Sequence, residues 1–152
     1  MCRNTLQQQG FDQDHSLADM RACVSKQFRL DAGEEIIELA ETLQAPVVSF
    51  RSGRGIVSDD SDLGLSVVAG HKLWQETDVL LGIGTRLDVP SRLWRHPPKG
   101  QKVLRVDIDP VEMRRFKPDV GIVADSKVAT RILLQAFQKQ GGVRPSRREE
   151  IL

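Results

Sequence analysis

Three short stretches of this chain carry residue types suited to chemistry. The first is Gly82-Ile83-Gly84-Thr85-Arg86. Small residues there let a phosphate-bearing ligand approach the backbone, and Thr85 and Arg86 add donors for it. A complete dinucleotide fingerprint, G-x-G-x-x-G, would carry a third glycine where Leu87 stands. A tight turn with close packing is therefore the competing reading. The second stretch is Asp107-Ile108-Asp109. An acid at a strand end can hold the hydroxyl pair of a ribose. Asp109-Pro110-Val111-Glu112 reads as a helix start, with Asp109 as cap, Pro110 as first helical residue and Glu112 closing a capping box. Asp107 has no such local use, which makes it the candidate ribose ligand. Asp125 precedes another helix and reads as its cap. The third stretch, Arg51-Ser52-Gly53-Arg54-Gly55, is either an anion-binding loop with exposed N–H groups or a plain connection.

The remaining reactive side chains form no constellation. His71 falls at a helix start and His96 in a proline-rich loop, and neither has a Ser or Cys nucleophile at recognisable spacing. Trp74 reads as core. Trp94 lies in a loop, where packing is a better account than a lid over a ligand. Cys2 and Cys23 form no C-x-x-C and have no histidine cluster beside them, so three or four convergent zinc ligands cannot be assembled. No catalytic and no metal-ligating residue is assigned.

The elements that must position these stretches follow from hydrophobic period. Residues 34–43 predict a helix, with Ile36, Ile37, Leu39, Ala40 and Leu43 at helical spacing and Pro46 beyond its end. Residues 46–50 predict a short buried strand, and 51–66 a polar loop. A second helix is expected over 68–75. The stretch 78–84 is continuously apolar, the mark of a strand covered on both faces. A loop is expected over 85–101, then a strand over 102–109, a short helix over 110–116, a strand over 120–125 and a last helix over 126–140 ended by Gly141 and Gly142. A weak helical stripe runs from Leu17 to Val24. Alternation of this kind implies an α/β fold, a Rossmann-like parallel sheet with helices on both faces. Ligands of such sheets bind beyond the carboxyl ends of the strands, where all three chemical stretches lie.

The chain divides into an atypical segment at 1–31, an organised domain at 32–142 and a charged, solvated tail at 143–152. At 152 residues it is long enough for one domain with a real core. A net charge of +1 gives no reason to expect nucleic acid or an acidic membrane surface as partner. No apolar run approaches the ~20 residues of a membrane span. Residues 1–17 lack the apolar core of a signal peptide. A cytoplasmic location is the expectation.

Three segments carry a family resemblance. "LAETLQAPVVSFRSGRGIVSDDSDLGL", "ETDVLLGIGTRLD" and "VLRVDIDPVEMRRFKPDVGIVADSKVATRILL" occur in order over about 33–138. Together they resemble the central domain of thiamine-diphosphate-dependent enzymes such as acetolactate synthases, benzoylformate decarboxylases and oxalyl-coenzyme A decarboxylases. The resemblance implies a six-stranded parallel sheet lying between two other domains, which hold thiamine diphosphate and magnesium. It also implies FAD or ADP on the central domain of some members and nothing on that of others. Gly84, Thr85, Arg86 and Asp107 would be the cofactor-binding residues. The chain departs from the pattern in three ways. It has no Gly-Asp-Gly with a following Asn for magnesium and diphosphate. It has no pyrimidine-binding domain to supply an activating glutamate. "SKQFRLDAG" stands where the family has its first strand and glycine loop, so that strand is missing or altered. The expected function is that of a central domain or fragment of an acetolactate-synthase-like decarboxylase or carboligase, not catalytic alone. The alternatives are a stand-alone module for ADP, FAD or coenzyme A, or an interaction remnant docking on a full-length homologue. A homo-oligomer is a further expectation.

Overall fold

The computed structural model describes residues 22–26, 31–50, 53–58, 60–94, 96–141, 144–146 and 148–151. Its strands are β1 (Ala22–Lys26), β2 (Val47–Ser49), β3 (Gly64–Leu65), β4 (Val79–Ile83), β5 (Lys102–Asp107) and β6 (Val120–Val123). The helices are α1 (Gly33–Leu43), α2 (Val67–Leu73, continued by a 3-10 turn at Trp74–Glu76), α3 (Asp88–Arg92), α4 (Glu112–Arg115), α5 (Ser126–Gly141) and α6 (Arg148–Ile151). The strands form one six-stranded sheet in the order β3-β2-β1-β4-β5-β6, every neighbouring pair parallel. That is the Rossmann order, which reverses direction between β1 and β4.

Of the two expectations for the first strand, missing or altered, the first is corrected: a strand is present at Ala22–Lys26, overlapping "SKQFRLDAG" only at Ser25 and Lys26. "ACVSK" is too short to announce itself among its neighbours. Its place is central, however, and it pairs along β2 on one side and β4 on the other. Two ladders offset what local propensity lacks. Residues 22–24 of the helix expected over 17–24 belong to this strand, and 17–21 lie outside the described residues. The strand also falls inside the segment read as atypical.

Each helix has a local cause. In α1, Ile36, Leu39, Ala40 and Leu43 form the buried stripe, and Gln44 ends it in the left-handed region (φ 47°) with its Nε2 donating to the Glu41 carbonyl at 2.7 Å. Ser66 caps α2 by accepting from the Ala69 N–H at 3.2 Å. Asp125 caps α5 as expected, its Oδ1 accepting from the N–H groups of Lys127 and Val128 at 2.9 and 3.1 Å. Two small elements interrupt expected loops. β3 lies within 51–66, anchored where the Val47 N–H donates to Leu63 O at 2.7 Å. α3 lies within 85–101, where Pro90 reads as a breaker but occupies the first turn, which has no N–H to lose.

Period-2 alternation splits the strands between two cores. Val47, Val79, Leu81, Ile83, Leu104 and Val106 face α1 and α5 in an aliphatic layer. Val48, Leu80 and Val103 face the other way, into a layer with Phe50, Trp74, Leu87 and Trp94. β4 is buried along its whole length, as its apolar run predicts. Burial of each large side chain stabilises by about 1.5–3 kcal/mol. Trp94 packs against Trp74 and Phe50 with ring centroids 5.3 and 6.3 Å apart, so the packing account of it holds. Close backbone approach brings α2 onto β2: a Cβ on Gly70 would meet Val48 at 2.5 Å and Trp94 at 3.0 Å.

The described residues of the charged tail stay largely exposed and make a few contacts. The Arg144 N–H donates to Thr42 O at 3.0 Å, Arg148 meets Asp62 at 3.3 Å, and Ile151 packs on the aliphatic layer.

Candidate functional site at the carboxyl ends of β4 and β5

Gly84 follows β4 with φ 54°, and its N–H donates to Val106 O at 2.7 Å, extending the β4–β5 ladder by one bond. Thr85 is buried. Its Oγ1 accepts from the Leu87 N–H at 3.1 Å instead of facing a ligand. Leu87, at the place of a third glycine, takes the left-handed backbone that glycine favours (φ 54°). Its side chain is fully buried over Gly82, where an added Cβ would meet it at 3.1 Å. Packing here holds a backbone conformation that the residue type disfavours.

Asp107 ends β5. Its Oδ1 accepts from the Asp109 N–H at 3.0 Å, so Asp107 does have a local use, contrary to expectation. Asp109 accepts from the Val111 N–H at 2.8 Å in the turn before α4, whose N-cap is Val111 and not Asp109 as expected, because the helix begins only at Glu112. Glu112 does not close a capping box. Its carboxylate is buried and lies 3.5 Å from Arg86 Nε and 3.1 Å from Arg115 Nε.

Arg105 organises this region, and the sequence reading passed over it. Alternation places it on the aromatic face beside Gly82 of β4. It is 1% exposed. Nη2 donates to Thr85 O at 2.8 Å, and Nη1 donates to Glu112 O and to Phe116 O, the latter at 3.2 Å. Burial pushes its guanidinium below the ordinary arginine value, against the opposing pull of Asp107 and Glu112. One signal was available: a charge in the middle of an apolar strand, on a face that alternation buries.

The structure thus brings Gly84, Thr85, Arg86 and Asp107 to one end of two adjacent strands. The glycine loop at 51–55 lies elsewhere. Arg51 and Ser52 are outside the described residues, the Gly53 N–H donates to Phe50 O at 2.8 Å, and Arg54 lines a separate cavity beside β2 and β3. His71 stacks on Trp94 at 5.8 Å, and His96 offers its carbonyl to Gln75.

Among the described residues at this end of the sheet no cradle for a nucleotide diphosphate is built, the Leu87 and Asp109 N–H groups being donated within their own loops. The cavity beside the β4 loop, lined by Phe50 and residues 85–90, measures about 150 Å³. Ligand pockets typically measure roughly 300–1,000 Å³. The diphosphate of a dinucleotide would sit at the N-terminus of α1. That turn carries Glu34 and Glu35, with Asp31 just before it. A Cβ on Gly33 would meet only Ile56, at 3.9 Å, so this glycine is no cradle. Among the described residues, no three His, Cys, Asp or Glu side chains converge as a metal site.

Residues 25–134 match the family model for the central domain of thiamine pyrophosphate enzymes. The chain is 34% identical over 115 residues to a probable acetolactate synthase large subunit of Methanocaldococcus jannaschii, covering 70% of this chain and 19% of that protein. It is 30% identical over 130 residues to a glyoxylate carboligase of Escherichia coli O157:H7, covering 78% and 22%. It is 32% identical over 111 residues to a probable 2-ketoarginine decarboxylase of Pseudomonas aeruginosa, covering 69% and 20%. The chain spans about a fifth of the length of these relatives.

Proposed function

The chain belongs to the thiamine pyrophosphate enzyme family as its central domain, and from that premise we propose that it serves as the scaffold domain of an acetolactate-synthase-like carboligase or decarboxylase. The observation that carries this reading is the family match over 25–134, which runs from within β1 into α5 and so takes in nearly the whole sheet. In this reading thiamine diphosphate and magnesium are held by flanking domains, and this domain fixes the distance between them. The working assembly is a homo-oligomer or a complex with a full-length homologue, in the cytoplasm.

The test is carboligation. The purified chain, given pyruvate, thiamine diphosphate and Mg²⁺, is expected to form no acetolactate and release no CO₂. Turnover by the chain alone would overturn the scaffold reading. The rival reading, a module for ADP, FAD or coenzyme A, draws on Gly84, Thr85, Arg86 and Asp107 meeting at one end of the sheet. It is opposed by the internal use of the same groups.

A further inference from the structure

We infer that β6 is a docking edge for a second copy of this chain, paired antiparallel about a twofold axis at Gly121 so that two six-stranded sheets join into one. The inference rests on the homo-oligomer of the scaffold reading and gives it a surface.

The two edges of the sheet are unlike. β3 has two residues, too short to template a partner strand. β6 is Val-Gly-Ile-Val, with neither a charge nor a proline in it to blunt pairing. Its outward groups follow from parity. The Lys102 N–H donates to Asp78 O and the Gly84 N–H to Val106 O, so even-numbered residues of β5 serve β4. Odd-numbered ones serve β6, where the Ala124 N–H donates to Asp107 O. Even-numbered residues of β6 therefore bond inward, and the Asp119 N–H, just before the strand, is donated to Val103 O. Gly121 and Val123 turn their N–H and C=O groups out of the sheet.

Charge selects a second copy as the occupant and fixes its register. Antiparallel bonding of outward groups needs odd-numbered residues to face odd-numbered ones. With Ile122 on the axis, Asp119 would face Asp125 of the copy, and like charges placed opposite repel. With Gly121 on the axis, Gly121 exchanges both bonds with its own counterpart, and Lys117 faces Asp125 of the copy. Lys117 and Asp125 are both exposed, and the twofold forms their pair twice. On the face under α5, Val120 then lies against Ile122 of the copy.

α5 extends the same surface. Lys127 and Arg131 turn toward Glu35 of α1, and Gln138 toward Glu38. Val128 and Ile132, four residues apart, emerge on another flank, 54% and 51% exposed. Two α5 helices brought together over the joined strands would cover these side chains.

Sedimentation equilibrium of the full chain tests this. A monomer–dimer equilibrium is expected, with a Kd on the order of micromolar for so small an interface. Val123→Pro removes an outward N–H and spares the bonds to β5, and should raise Kd about tenfold or more. Lys117→Glu should raise it about tenfold, since two pairs are lost, and added salt should weaken the wild-type dimer. Val68→Glu, at a still more exposed valine on α2, should leave Kd unchanged. If Val123→Pro does not fold, Ile132→Glu takes its place with the same expected loss. A chain that stays monomeric at ~100 µM overturns the inference. So does a dimer that these edge variants leave intact, or one that Val68→Glu dissociates. Either failure leaves the scaffold reading standing, because carboligation by the chain alone is what overturns that.

Discussion

The two faces of this sheet are filled by different physics. The face covered by α1 and α5 is aliphatic, and its charged members, Glu35 with Arg131 and Lys127, bind helix to helix. The face covered by α2, α3 and α4 is aromatic and holds Arg105 within it. An aliphatic layer responds to mutation in proportion to the volume removed. A layer built around a charge responds through the partners left unsatisfied. Size matters less there than whether every carbonyl still has a donor.

The largest effect follows directly. Arg105→Met should destabilise by about 3–5 kcal/mol, because the Thr85, Glu112 and Phe116 carbonyls are left without their donor in a buried layer. Urea unfolding measures it. A loss below about 1 kcal/mol would erase the contrast between the faces. Next is Leu39→Ala on the aliphatic face, expected to lose about 3 kcal/mol. The double variant should be additive within about 0.5 kcal/mol, since the two side chains lie on opposite sides of the sheet.

Gly82→Ala should lose about 1–2 kcal/mol by forcing Leu87 out of its seat. A neutral result would show that the aromatic face yields as easily as the aliphatic one. The smallest effect lies at the sheet's rim. Burial raises the Asp119 pKa, but the Val103 N–H and Lys102 outweigh it and hold the carboxyl below its ordinary value. Its contribution is therefore complete above the ordinary carboxylate range and is lost as pH falls through the folded value. Asp119→Asn should cost under about 1 kcal/mol at neutral pH, given the solvent-exposed carboxylate, and the gap from wild type should close below about pH 4.

The same contrast explains what could be read without coordinates. The aliphatic face was legible, because Ile36, Leu39, Ala40 and Leu43 declare a helix and "DVLLGIG" declares a doubly covered strand. The site was legible in position, since Gly84, Thr85, Arg86 and Asp107 do meet at one end of the sheet. It was not legible in use. The engagement of Asp107 with the Asp109 N–H depends on a turn, and that of Thr85 depends on Leu87 adopting a glycine-like backbone. Neither has a period. β1 was hidden for a related reason, as five residues are too few to show a pattern and its place is set by pairing with two neighbours.

That strand has a consequence in time. β1 comes before β2 and β4 in the chain and is central in the sheet, so Val24 must sit beside both Val47 and Leu81. Residues leave the ribosome at about 5–20 per second. For several seconds the first strand is therefore outside the ribosome while β4 is still being made. β2 is made before β4 and can cover one edge, but the edge that β4 pairs stays open in that interval, which invites pairing with other chains. A strand of only five residues that ends in a lysine is blunted against such pairing while it waits.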